Sequence, residues 1–146
     1  MIRGFFRVDG SRKRPFVRAL VYFPSLRGSL TVDLLADTGA DRSILAPGDF
    51  SRLQADFMRL PAGQPSQGIG GRVETRSLEA ILALGIYSTL LDLLILRPAV
   101  GRADASSIPS ILGRDILSRF ALIIEERTDR VLLLEPHEAD ALNLPR

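Results

Sequence analysis

Leu34-Leu35-Ala36-Asp37-Thr38-Gly39-Ala40-Asp41 is an apolar run that delivers one carboxylate into a Thr-Gly turn, and it occurs once in the 146 residues. Asp, Thr and Gly are all favoured in turns, and Asp can cap its own backbone, so the triplet by itself reads equally well as a plain turn. Its chemical reading needs a partner. A carboxylate pair that activates water holds one protonated and one ionised member, so a chain with a single copy has to take the second from another copy of itself.

Upstream, Phe16 to Phe23 alternates as a first strand, Ser25 to Ser29 turns, and Leu30 to Ala36 returns as a second strand that ends at Asp37. Ser43 to Leu45 continues extended, and Pro47-Gly48-Asp49 opens a short helical turn toward Phe57. Pro61 to Pro65 is a loop, and Gln67-Gly68-Ile69-Gly70-Gly71-Arg72 looks like a mobile hairpin tip. Val73 to Leu84 and Tyr87 to Leu96 are long strands dense in leucine and isoleucine, and Pro98 to Pro109 is an exposed loop. Ile111 to Phe120 combines a strand end, Gly113 and a short helix with Ile116, Leu117 and Phe120 on one face. Leu122 to Glu125 and Val131 to Leu134 form a closing hairpin, and residues 136–146 read as a loose tail. With no repeat and no linker, the expectation is one domain over residues 1–146, all-β and mainly antiparallel, a closed barrel with one short helix after Gly113.

Composition narrows the chemistry. Apolar residues make up 46% and charged residues 25%, as in an ordinary globular domain. The longest apolar stretch, Leu78 to Leu96, is broken by Glu79 and Asp92, so no membrane segment is expected. Met1 to Arg7 shows no cleavable secretory leader, which points to the cytoplasm. The absence of cysteine removes disulfides and thiol chemistry, and His137, the only histidine, sits in a polar tail unsuited to a zinc site or a Ser-His-Asp relay. A phosphorylated aspartate wants a lysine and magnesium carboxylates, but Lys13 is the only lysine. Gly68 to Arg72 lacks the Gly-Lys-Ser/Thr ending of a phosphate loop. Arg12-Lys13-Arg14 is the one basic cluster, without interleaved aromatics, so no nucleic-acid partner is expected. Asp33, Asp49, Asp56 and Asp92 stand outside any motif and are expected to face solvent. One lysine against eighteen arginines suggests a GC-rich bacterial coding sequence.

Asp37-Thr38-Gly39-Ala40-Asp41, the glycines Gly68-Ile69-Gly70-Gly71 about thirty residues on, and Ile111-Leu112-Gly113-Arg114-Asp115 about seventy-five residues on together resemble the retropepsins, the single-domain aspartic proteases of retroviruses and their cellular and bacterial relatives. The resemblance spans roughly residues 14 to 120. It implies a symmetric homodimer that hydrolyses peptide bonds, with Asp37 of each copy in a shared dyad, Thr38 bonding across the two-fold axis, and Gly39 giving the substrate backbone close approach. It implies a flap at Gly68, Ile69, Gly70 and Gly71 that closes over a peptide or protein substrate, and it calls for no cofactor and no metal. It also implies that Arg114 pairs with Asp41, and Arg14, before Pro15, resembles a further arginine of that interface network. Leu35, Ile69, Ile108 and Ile111 would line apolar subsites. The chain is longer than viral relatives at its start, at Pro98 to Pro109 and after Phe120, so the Leu122 to Leu134 hairpin either replaces or flanks the interleaved terminal sheet of the viral dimer. The alternative function is a retropepsin-fold protein that binds peptides, or cleaves only itself, without general turnover.

Overall fold

The computed structural model describes residues 1–68, 71–98 and 108–143. In chain order, its strands are β1 (Ile2–Arg3), β2 (Phe5–Asp9), β3 (Arg12–Phe23), β4 (Gly28–Ala36), β5 (Ile44–Leu45), β6 (Ser66–Gly68), β7 (Gly71–Val73), β8 (Thr75–Leu84), β9 (Tyr87–Leu96), β10 (Ser110–Leu112), β11 (Ala121–Glu125) and β12 (Arg130–Leu134). Three short helices join them: α1 (Pro47–Phe50), α2 (Arg114–Leu117) and α3 (Pro136–Asp140).

Strands β3, β4, β10, β5, β9 and β8 follow one another, and β8 pairs back onto β3, so six strands close into a barrel with β2 added beside β3. Most pairs are antiparallel, but β10 runs parallel to β4 and β5 runs parallel to β9. Period-two alternation fills the barrel. Val17, Ala19, Val21 and Phe23 of β3 and Leu30, Val32, Leu34 and Ala36 of β4 are buried, and they meet Leu78, Ala80, Leu82 and Leu84 of β8. Ile116 and Leu117 of α2 plug the same core. Among the described residues no helix is long and apolar enough to cross a membrane.

The ends of the chain differ from a reading by periodicity. Asp9 pairs with Arg12 around Gly10, whose φ of +60° suits glycine, so β2 and β3 form a hairpin where no strand was expected. β1 adds to β12, making with β11 a three-stranded sheet within one chain. Ile2 is buried there, and Gly4 passes so close to Phe16 that an added Cβ would lie 2.4 Å from its carbonyl oxygen. Residues read as a loose tail begin with α3, whose start combines Pro136 with a reciprocal capping box between Glu135 and Glu138.

Candidate active site

β4 carries Asp37 out of the core: Ala36 is buried, Asp37 half-buried, and Thr38 and Gly39 exposed. The loop is stitched to β10 by the Asp37 amide, which donates to the Leu112 carbonyl at 3.1 Å, and it closes when the Ala40 amide donates to the Asp37 carbonyl at 3.3 Å. The Gly39 amide donates to Asp37 Oδ1 at 2.9 Å, fixing the carboxylate in the turn. A Cβ on Gly39 would sit 3.2 Å from that oxygen, tighter than ordinary contact, which is a local reason for glycine at this position.

A second layer holds this loop from behind. The Arg114 and Asp115 amides donate to the Ala40 and Asp41 carbonyls at 2.8 and 3.1 Å. Arg114 Nη2 reaches Asp41 Oδ1 at 2.5 Å, and both side chains are largely exposed. Asp115 Oδ1 accepts from the Ser43 hydroxyl at 2.7 Å and Oδ2 from the Ser43 amide at 2.9 Å, while the Gly113 amide donates to Ser43 Oγ at 3.0 Å. Ser43 is fully buried. At Gly113 a Cβ would fall 2.5 Å from the Arg42 carbonyl carbon, so only glycine lets α2 press against this segment. Ser43 carries no motif of its own; a hydroxyl between Asp37 and the apolar Ile44-Leu45 is the sole hint in the sequence.

Asp37 opens into a hollow of about 640 Å³ lined by Gly39, Asp41, Ile44, Gln67 and Ile111 among others. Ser66 and Gln67 of β6 also line it, and β6 pairs with β7 in a hairpin in which Gly68 faces Gly71. Ile69 and Gly70, at the expected tip, lie outside the described residues. Of the expected subsite residues, Ile111 lines this hollow, and Leu35 lies directly beside it in the β4–β10 register. Ile108 and Arg14 line a different hollow with Arg7, Arg18 and Asp33, whereas Asp41 and Arg114 form their pair at the Asp37 loop.

Two aspartates expected to face solvent are engaged instead. Asp33 accepts from Arg18 Nε at 2.8 Å and Arg7 Nη2 at 2.6 Å. The hydrogen bond from Arg18, with the charge of both arginines, holds the Asp33 carboxyl below the ordinary carboxylate range although partial burial pushes the other way. Asp49 accepts from the buried Ser110 hydroxyl at 2.6 Å and from Arg52 at 3.2 Å. Strand pairing brings Arg7 and Arg18 beside Asp33, and Ser110 reaches Asp49 from 61 residues away, neither of which a local pattern announces; Arg52, three residues after Asp49, is a local partner. Asp56 is exposed and accepts from the Met58 amide, and Asp92 is exposed. Among the described residues, no three His, Asp or Glu side chains gather as a metal site would need.

No protein-family model and no curated protein matches the chain. Among solved structures, it is similar to EIAV protease complexed with the inhibitor HBY-793, with a TM-score of 0.55 and 28% identity over 77% of this chain and 92% of that one. It is also similar to a retropepsin-like aspartic protease from Rickettsia conorii, with a TM-score of 0.58 and 18% identity over 88% of this chain and 98% of that one, a likeness of fold. The closed six-strand barrel with its short helices is the retropepsin-like fold, and over most of its length this chain resembles the retropepsin-like aspartic proteases.

Proposed function

We propose that the chain is an aspartic endopeptidase whose dyad comprises Asp37 from each of two copies. The observation that carries this reading is the Asp37 carboxylate itself: it is anchored by the Gly39 amide, stands at a strand end on a hydrogen-bonded second layer, and opens into a hollow lined in part by β6. The likeness to EIAV protease supports it. Thr38 and Gly39 are exposed beside Asp37, a surface on which a second copy can seat.

In the paired site one Asp37 is ionised and the other protonated, because two adjacent carboxylates cannot both carry charge at little cost. The ionised member takes a proton from water as the oxygen attacks the peptide carbonyl carbon, and the protonated member donates to the carbonyl oxygen. The resulting gem-diol collapses when the protonated carboxyl gives its proton to the amide nitrogen, the C–N bond breaks, and a diol hydroxyl gives its proton to the ionised carboxylate as the C=O bond forms, so the pair again holds one proton. No covalent enzyme intermediate forms. Closure of the hairpin would exclude bulk water while this occurs.

The test is cleavage of a peptide library by the purified chain beside Asp37→Asn. Sequence-selective cleavage lost in a folded variant supports the proposal, and cleavage retained by that variant refutes it.

A further inference from the structure

Among the described residues, the β6–β7 hairpin is a two-stranded sheet that pairs only with itself. Ser66 is half-buried, and Gln67 and all three residues of β7 are exposed, so little of the hairpin enters the core. A lone two-stranded hairpin is marginally stable at best in water. Its place beside the Asp37 hollow, which Gln64, Pro65, Ser66 and Gln67 line, therefore depends on how its base is held.

That base is laid along β8. The Ser77 amide donates to the Pro61 carbonyl at 2.9 Å, Ala62 bridges to Arg76, and the Gly63 amide donates to the Thr75 carbonyl at 3.1 Å. After Gly63 the tie to β8 passes to a side chain: the Thr75 hydroxyl donates to the Gln64 carbonyl at 2.5 Å. Thr75 is 2% exposed, and a buried hydroxyl needs a partner of this kind. At Gly63 an added Cβ would lie 2.8 Å from both Thr75 Oγ1 and the Arg76 carbonyl carbon, so only glycine lets the loop come this close.

Backbone stereochemistry carries this anchor into the hairpin. The peptide plane that contains the Gln64 carbonyl also contains the Pro65 nitrogen, and the proline ring fixes the next φ. Only ψ of Pro65 then separates the anchored carbonyl from the peptide plane that enters Ser66, the first residue of β6. We infer that Thr75 is a positioning residue for peptide binding: by holding the Gln64 carbonyl, its hydroxyl sets where Ser66 and Gln67 stand along the Asp37 hollow. The inference rests on the protease reading of that hollow.

The test compares wild type with Thr75→Val, which keeps the shape and removes the hydroxyl, and Thr75→Ser, which keeps the hydroxyl. On one cleavable peptide, Thr75→Val should raise KM about five- to tenfold with kcat within about twofold, the size expected when one hydrogen bond that supports binding is lost. Thr75→Ser should stay within about twofold of wild type in both constants. In parallel, anisotropy of a fluorescent form of that peptide should show the same loss of affinity when Thr75→Val is added to the Asp37→Asn protein. Amide hydrogen exchange at Ser66 and Gln67 should quicken in folded Thr75→Val while β3 and β4 stay protected. If Thr75→Val does not fold, Gly63→Ala, whose methyl meets the same hydroxyl, carries the same measurements. Unchanged KM and peptide affinity in a folded variant overturn the inference and leave the protease reading intact. Thr75→Ser as impaired as Thr75→Val also overturns it, since the hydroxyl is then not what acts. Peptide binding that depends on the Thr75 hydroxyl, with no cleavage by wild type, supports the positioning role while removing the protease reading.

Discussion

Asp115 and Ser43, 72 residues apart in sequence, are joined by two hydrogen bonds, the Ser43 amide and hydroxyl each donating to one carboxylate oxygen. This link fastens the segment after the Asp37 loop to the start of α2. Through Gly113, whose amide donates to the same hydroxyl, it also reaches β10.

Asp115→Ala should therefore lower stability by about 3 kcal/mol, because it strands a buried hydroxyl and amide as well as removing charge-assisted bonds. Asp115→Asn, which keeps one acceptor, should cost about half as much. Urea denaturation checks both values, and a midpoint for Asp115→Ala equal to wild type would show that the link carries no stability.

Gly113→Ala tests the same seam by volume. The added methyl meets the Arg42 backbone, which cannot swing aside as a flexible side chain can, so a loss of about 2 kcal/mol is expected. A thermal midpoint within a degree of wild type would mean that the seam is looser than its geometry implies.

Arg114→Ala separates monomer from assembly. The pair with Asp41 is largely exposed, so the unfolding free energy should change by no more than about 0.5 kcal/mol. If the Asp37 loops meet across a two-fold axis, the variant should instead need a higher protein concentration to reach full specific activity. Activity of wild type that stays constant down to concentrations at which sedimentation finds only monomer would contradict a shared site.

Mixing wild type with Asp37→Asn should reduce activity beyond simple dilution, since mixed pairs hold a single ionisable Asp37. The pure variant should lose at least about 10³-fold in kcat/KM. Activity that falls only in proportion to the wild-type fraction would argue for a site contained in one chain.

Acid stability should report on Asp33. Because its folded pKa is lowered by Arg18 and Arg7, its contribution is complete above about pH 4, the ordinary carboxylate value, and disappears as pH falls through the folded value. Asp33→Asn should thus melt below wild type at pH 7, and the gap should close under more acid conditions. A gap independent of pH would place the stabilising interaction elsewhere.

Much of the barrel is legible in order of residues alone. Phe16 to Phe23 and Leu30 to Ala36 alternate because one face of each strand lies in the core, and Val73 to Leu84 and Tyr87 to Leu96 read as strands from their density of leucine and isoleucine. The Asp37 turn and Gly113 were likewise visible, because a strand-end carboxylate in a Thr-Gly turn and a glycine before a short helix are written in consecutive residues. The hairpin of β2 with β3, the pairing of β1 with β12 and the order of α3 were not. Those segments are short: β1 finds its partner at the other end of the chain, α3 rests on a cap that periodicity does not register, and β2 takes its place by pairing with β3 across the Gly10 turn.

The sequence by itself determined that a single Asp-Thr-Gly carboxylate stands at the end of an apolar strand, from which the proposal of a dyad drawn from two copies follows. Only the tertiary structure decided what surrounds that carboxylate: that Asp115 braces Ser43, that Arg14 and Ile108 turn to a second hollow, and that Asp33 is held between Arg7 and Arg18 instead of facing solvent. The reason is physical. Strand propensity and turn chemistry act over neighbouring residues, whereas a hydrogen bond or ion pair between distant residues exists only once strand register and barrel closure have set their positions.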